Sequence, residues 1–141
     1  MFKESSVVIA QKYYYTEFDW RIGVLNNKPI YACKYYMAKG HWQITNHAKK
    51  IQHGGTEAFA IQQVDKAVLK AALKAAKTIG NGLYGIDIKM VGNKPLIIEI
   101  NDNPSIDAYV EDEYTGDQLY TTIMLEFLNR MNLKKNPYAN H

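Results

Sequence analysis

The strings Gly85-Ile-Asp-Ile-Lys-Met90 and Ile97-Ile-Glu-Ile-Asn-Asp-Asn-Pro104 carry the reading of this chain. Both alternate apolar and polar residues with period two, the mark of a half-buried strand. Ile86, Ile88 and Met90 fall on one face of the first strand, with Asp87 and Lys89 on the other. In the second, Ile98 and Ile100 lie opposite Glu99 and Asn101. If the isoleucines bury, the polar sets share the other face. Register then decides which of them meet. A two-residue loop would set Asp87 against an isoleucine. A three-residue loop, Gly92–Asn93–Lys94, sets Asp87 across from Glu99 and Asn101 across from Gly85, and this is the expected pairing. Opposed Cβ atoms lie about 5 Å apart. Two carboxylates that close repel unless a cation or proton lies between them. Two carboxylates and a side-chain amide are hard oxygen donors that suit Mg²⁺ or Mn²⁺. The competing reading is a solvated polar face on which Lys89 or Arg21 neutralises the acids.

Working outward, Val64 to Ile79 reads as a helix. Ala67, Leu69, Ala71, Ala72, Leu73, Ala75 and Ala76 are good helix formers. Val64, Val68, Ala72 and Ala75 or Ala76 recur at helical spacing and make a buried stripe, leaving Lys66, Lys70, Lys74 and Lys77 on a solvated face. Asp65 suits the first turn, and Gly80 the position after the end. Asp117 to Met131 reads as a second helix with Leu119, Tyr120, Ile123, Met124, Phe127 and Leu128 as its apolar face. Before the first helix, Val7–Tyr15, Phe18–Leu25 and Pro29–Met37 read as three strands of a meander, with a turn at Asn26–Asn27–Lys28. Residues 38–63 read as a long polar loop, with a short strand near Trp42 to Thr45. Asn103–Gly116 is an acidic loop, and the tail from Asn132 is expected to fray. The fold class is α+β, an antiparallel sheet with packed helices in one domain.

Composition narrows the function. With 141 residues, 47% hydrophobic and 22% charged, the chain can bury a core of its own. Its apolar runs are too short to span a bilayer, and Met1 to Ser6 is no secretory leader. The single cysteine, Cys33, allows no internal disulfide and favours a reducing compartment. A cytoplasmic, non-membrane protein is expected. The net charge of +3 implies no nucleic acid. The tyrosine clusters 13–15 and 35–36 suit strands better than base stacking, because no arginine-rich stripe accompanies them. A single-strand nucleic-acid binder is therefore the weakest reading. His41, His47 and His53 have no metal-ligand spacing on a regular element, so no zinc is assigned.

Asp87, followed by Glu99-Ile-Asn101 and then Pro104, resembles the magnesium signature of the ATP-grasp superfamily, and more narrowly that of RimK-like ligases and glutathione synthetases. Phe18-Asp-Trp-Arg-Ile-Gly23 and Ala32-Cys-Lys-Tyr-Tyr-Met37 resemble the family's Asp-x-Arg strand and its neighbour. Ala10-Gln-Lys-Tyr13 sits where the family has its adenine-binding hinge. The resemblance runs over roughly residues 6–130. It implies that Asp87, Glu99 and Asn101 hold magnesium ions on the β- and γ-phosphates of ATP. It also implies that Arg21 stabilises the phosphate in transfer. Gln11, Lys12 and Tyr13 would meet the adenine, Glu17 the ribose and Lys34 a phosphate. Gly54–Gly55 resembles a glycine pair that flanks the phosphates, and Asn103 would point toward the carboxylate substrate.

The implied activity is ATP-dependent joining of a carboxylate to an amine, an amino acid or peptide, through an acyl-phosphate. Complete ligases of this kind also carry an N-terminal domain and a first ATP-grasp subdomain. Neither is recognisable here. The expectation is therefore a C-terminal portion of an ATP-grasp domain over residues 1–141, inactive alone and prone to self-association through an uncovered sheet edge. The alternative is a non-catalytic binding module that keeps the fold.

Overall fold

The computed structural model describes residues 10–37 and 55–135. Five strands form one antiparallel sheet: β1 (Phe18–Leu25), β2 (Lys28–Tyr36), β3 (Thr56–Phe59), β4 (Leu83–Val91) and β5 (Lys94–Asn101). Their spatial order is β3-β2-β1-β4-β5. Among the described residues two α-helices accompany the sheet, α1 (Lys66–Ile79) and α2 (Asp117–Lys135). The α+β class expected from the sequence is the class observed.

β1 and β2 join through Asn26 and Asn27, both at positive φ (49° and 58°). That is the backbone of a two-residue hairpin turn whose twist matches the strands, and asparagine tolerates it. β1 is flanked on both sides, by β2 and by β4. Trp20, Ile22 and Val24 of β1, Ala32 of β2, and Tyr84, Ile86 and Ile88 of β4 face α1, which docks Val68, Ala72 and Ala76 against them. The helix starts one residue after Asp65, whose carboxylate caps the Ala67 amide at 2.7 Å. Val64 is buried but lies ahead of the helix. The four lysines of the opposite face are exposed.

Several expectations need correction. Residues 10–15 form no strand. Both edges of β1 are taken by β2 and β4, and β-propensity without a partner makes no strand. Residues 7–9, and the strand expected at Trp42 to Thr45, lie outside the described residues. Part of the expected long loop is regular: Thr56–Phe59 pairs with β2 from Ala32 to Tyr35, and Ile61–Gln63 makes a single 3₁₀ turn. α2 runs on to Lys135. Of its expected apolar face only Leu119 and Ile123 bury, against Leu25, Tyr31 and Cys33 on the sheet face opposite α1. Met124, Phe127 and Leu128 remain exposed. Among the described residues, no helix is long and apolar enough to cross a membrane.

The β4–β5 hairpin gives the expected pairing by a different route. Val91 pairs with Lys94, so the loop is the two residues Gly92 and Asn93, with Gly92 at φ 61°. Lys94 belongs to β5. That register alone would set Asp87 against Ile98. A bulge intervenes: Ile88 pairs with Ile97 and Asp87 with Glu99, leaving Ile98 as the extra residue. A bulge inserts one residue and flips the faces beyond it. Ile97 and Ile100, rather than Ile98, pack toward α1.

Candidate active site: a carboxylate face with a clamped arginine

Arg21, Asp87, Glu99 and Asn101, four of the side chains that the sequence singles out, gather on the sheet face opposite α1. Asp87 pairs with Arg21 on one side and with Glu99 on the other, so the three stand in a row across β1, β4 and β5. Asn101 pairs with Gly85 one step along. Gly85 is required there, because a Cβ would lie 2.8 Å from Cβ of Pro104, where the chain folds back after β5.

Arg21 and Asp87 form a fork: Nε donates to Oδ1 at 2.8 Å and Nη2 to Oδ2 at 2.9 Å. The pair is about four-fifths buried, with side-chain exposures of 22% and 16%. These hydrogen bonds push the guanidinium pKa further up, outweighing the opposite effect of its burial. The neutralising role considered for Arg21 is thus realised at Asp87. Lys89 neutralises a different acid. Its ammonium donates to Asp19 at 2.6 Å and to Thr16 at 2.8 Å, a buried pair that fastens the start of β1 to β4.

The donor set fits a hard divalent ion only in part. Asp87, Glu99 and Asn101 offer oxygen alone. Both Asp87 oxygens already accept from Arg21, and Asn101 Oδ1 accepts from the Asn103 amide at 2.9 Å. Each of these oxygens keeps a second lone pair. Among the described residues, no group of three His, Cys, Asp or Glu could hold a metal. A magnesium ion here would need most of its ligands from water and phosphate, which is its usual habit.

The other expected contacts scatter. Gln11, Lys12, Tyr13 and Glu17 are exposed on the irregular segment before β1, and the Glu17 carbonyl accepts from the Met37 amide at 2.9 Å. Asn103 is exposed beside Asn101. Lys34 is not brought to this face. It pairs with Trp20, and its ammonium lies over the rings of Phe18, Phe59 and Trp20 at 4.3, 4.6 and 5.1 Å. Strand alternation sends it to the α1 side, away from Arg21. Gly55 precedes β3, where its carbonyl accepts from the Tyr36 amide. Gly54 and the three histidines lie outside the described residues.

Sequence reasoning missed Glu111. Its side chain has no exposed surface, yet it comes from the acidic loop. Its carboxylate accepts from the Tyr35 hydroxyl and, at 2.9 Å, from the Asp107 amide. Burial, then this hydrogen bond, pushes the Tyr35 pKa up. No signal in the sequence marks it, because an irregular loop has no period to separate inside from outside.

No family model matches the chain. It is 29% identical over 122 residues to a probable alpha-L-glutamate ligase of Shewanella loihica, and 30% identical over 118 residues to one of Vibrio atlanticus. These alignments cover 86% and 84% of this chain and 36% of each ligase, so the chain spans little more than a third of the relatives' length. Among solved structures, D-alanine–D-alanine ligase from Bacillus anthracis superposes with a TM-score of 0.60 at 15% identity, over 86% of this chain and 42% of that one. The ATP-grasp ligase PsnB, complexed with its minimal precursor, gives 0.52 at 19% identity, over 77% and 35%. Along most of its length the chain is thus similar to probable alpha-L-glutamate ligases, and it shares the fold of these D-alanine–D-alanine and ATP-grasp ligase structures.

Proposed function

We propose that this chain supplies the C-terminal portion of the ATP-grasp domain of a ligase that uses ATP to join a carboxylate to an amine. The observation that carries the reading is the row Arg21–Asp87–Glu99, with Asn101 one pair along. Hard anionic oxygens beside a guanidinium suit a transferring phosphoryl group, which needs its charge spread and its position fixed rather than a protein nucleophile. Asp87, Glu99 and Asn101 would hold Mg²⁺ or Mn²⁺, and the ion would neutralise the phosphate oxygens. Arg21 would hold the γ-phosphate and then the acyl-phosphate. Gln11, Lys12, Tyr13 and Glu17 would meet the nucleoside, and Asn103 the carboxylate substrate. The names of the sequence relatives make L-glutamate the first substrate to try. We infer a cytoplasmic enzyme, in keeping with its ATP substrate.

The chemistry is attack of a substrate carboxylate on the γ-phosphate, releasing ADP, followed by attack of the amine on the acyl-phosphate, releasing phosphate. The test is hydroxylamine trapping with the native protein, ATP, Mg²⁺ and L-glutamate, alone and with candidate acids. A hydroxamate formed together with ADP is expected. Pyrophosphate and AMP would overturn the reading.

A further inference from the structure

Arg21 has a second carboxylate within reach. Its Nη1 lies 3.9 Å from Oε1 of Glu111, while Nε and Nη2 are taken by Asp87. Its Cζ stands 4.8 Å from the centre of the Tyr35 ring, and that tyrosine's hydroxyl donates to the same Glu111 oxygen. The guanidinium is thus bounded by Asp87 at one edge, Glu111 at another and the Tyr35 ring nearby. A carboxylate with no exposed surface is costly unless a cation faces it. Among the described residues, Arg21 is the cation that pairs with Glu111.

In the proposed function Asp87 has two tasks, since a divalent ion and Arg21 would draw on the same oxygens. An ion at Asp87 weakens the fork. Arg21 would then be free to swing toward water unless something else held it. A shift of about 1 Å would turn the 3.9 Å approach to Glu111 into a full charge-assisted hydrogen bond. The Tyr35 ring, 4.8 Å from Cζ, limits that movement on one side. We propose that Glu111 is a positioning residue, a second anchor that keeps Arg21 in place over Tyr35 when Asp87 turns to another cation. The proposal rests on the roles given to Arg21 and Asp87 above. It reaches past them to a loop residue outside the metal and nucleotide sets.

The sequence makes the test clean. Arg21 and Arg130 are its only arginines. Labelling with ¹⁵N-arginine therefore gives two Nε–H signals, and Arg130, bonded to Glu126 at 2.8 Å, is the internal control. In the Asp87→Ala chain the Nε–H loses its acceptor, but Glu111 should keep rotation of the Arg21 Nη1 group slow. In Asp87→Ala/Glu111→Gln that rotation should be about tenfold faster or more, with Arg130 unchanged, the expected effect of losing one charge-assisted contact. Equal rotation rates in the two chains would overturn the proposal. If Asp87→Ala fails to fold, shown by a collapsed Arg130 signal, Glu111→Gln alone decides. Rotation of the Arg21 Nη1 group should then be faster than in the parent, and an unchanged rate would overturn the proposal. Neither arm contains metal or nucleotide, so failure of the ligase reading would appear elsewhere, as absence of a hydroxamate.

Discussion

Arg21 and Asp87 stand directly opposite each other on β1 and β4, and their side chains close two parallel hydrogen bonds of 2.8 and 2.9 Å. The fork occupies the oxygens that a divalent ion would want, so metal binding to the chain alone should be weak and should disturb Arg21. Paramagnetic Mn²⁺ is expected to broaden NMR signals around residue 87 and residues 99–101. Broadening centred on residues 41–53 would remove the carboxylate row from consideration.

The same fork contributes stability. Arg21→Lys keeps a charge but loses the planar, two-pronged match to the carboxylate. Because the pair is about one-fifth exposed, the loss should be discounted for solvent, to about 1–2 kcal/mol. Urea unfolding of the variant should show a lower midpoint with an unchanged slope. A changed slope would mean that the denatured state, and not the pair, had been altered.

Gly23 should tolerate no side chain. A Cβ there would lie 2.1 Å from the ring of Tyr31, which is itself buried across the sheet. Because Tyr31 is 2% exposed, its ring has little room to move aside. Gly23→Ala should cost about 3 kcal/mol or more, the upper range for overpacking. The companion variant Gly92→Ala meets no atom within 4 Å and suffers only from its positive φ. It should cost about 1 kcal/mol. Comparable losses in the two would show that the Tyr31 contact is softer than its geometry.

How much of this was readable in the sequence varies by element. The ranges of β1 and β4 and the stripe Val68, Ala72, Ala76 follow from period alone. The Asp87–Glu99 pairing was anticipated through the wrong turn. The hairpin loop is shorter than expected, and Ile98 restores the offset by bulging. Period describes one strand at a time and cannot reveal an extra residue between two. Lys34 failed for a related reason: its neighbours on the strand show that it alternates with Cys33 and Tyr35, but not which face the core takes. α2 was legible as a helix, but the extent of its buried face was not, because an apolar stripe does not say what covers it.

Alkaline solution should weaken the fold. Burial, followed by the Glu111 charge, pushes the Cys33 thiol up to about 12 from an ordinary value of 9.0. Burial also raises Tyr31 and Tyr35 above the usual phenol range. A group whose pKa is raised by folding holds its proton more tightly in the native state. Its contribution is complete below the unfolded pKa and is lost as pH rises toward the folded one. Stability should therefore fall from about pH 9 upward, by up to about 1.4 kcal/mol per pH unit for each group in its window. Cys33→Ala should flatten the first part of the decline, and iodoacetamide should alkylate the native thiol slowly at neutral pH. A flat stability curve between pH 9 and 11 would contradict the burial of these three side chains.

Lys34 and Glu99 separate the two faces of the sheet. Lys34 spends its charge on three aromatic rings on the α1 side. Lys34→Met keeps the length and apolar stem that pack there and removes only the cation–ring attraction, worth about 0.5–2 kcal/mol. It should lower the unfolding midpoint slightly and leave hydroxamate formation by the native protein unchanged within a factor of about two. Glu99→Gln does the reverse. Glu99 is exposed on β5 and makes no ion pair among the described residues, so its loss should leave stability almost untouched. Under the proposed function, removing one charged oxygen from the phosphoryl site should cut turnover by about 10²-fold or more. Thermal melts of this chain, paired with hydroxamate yields from the native protein, read the two effects separately. Lost turnover in Lys34→Met at intact stability would return that lysine to the phosphate site and show that the working face of the sheet had been misassigned.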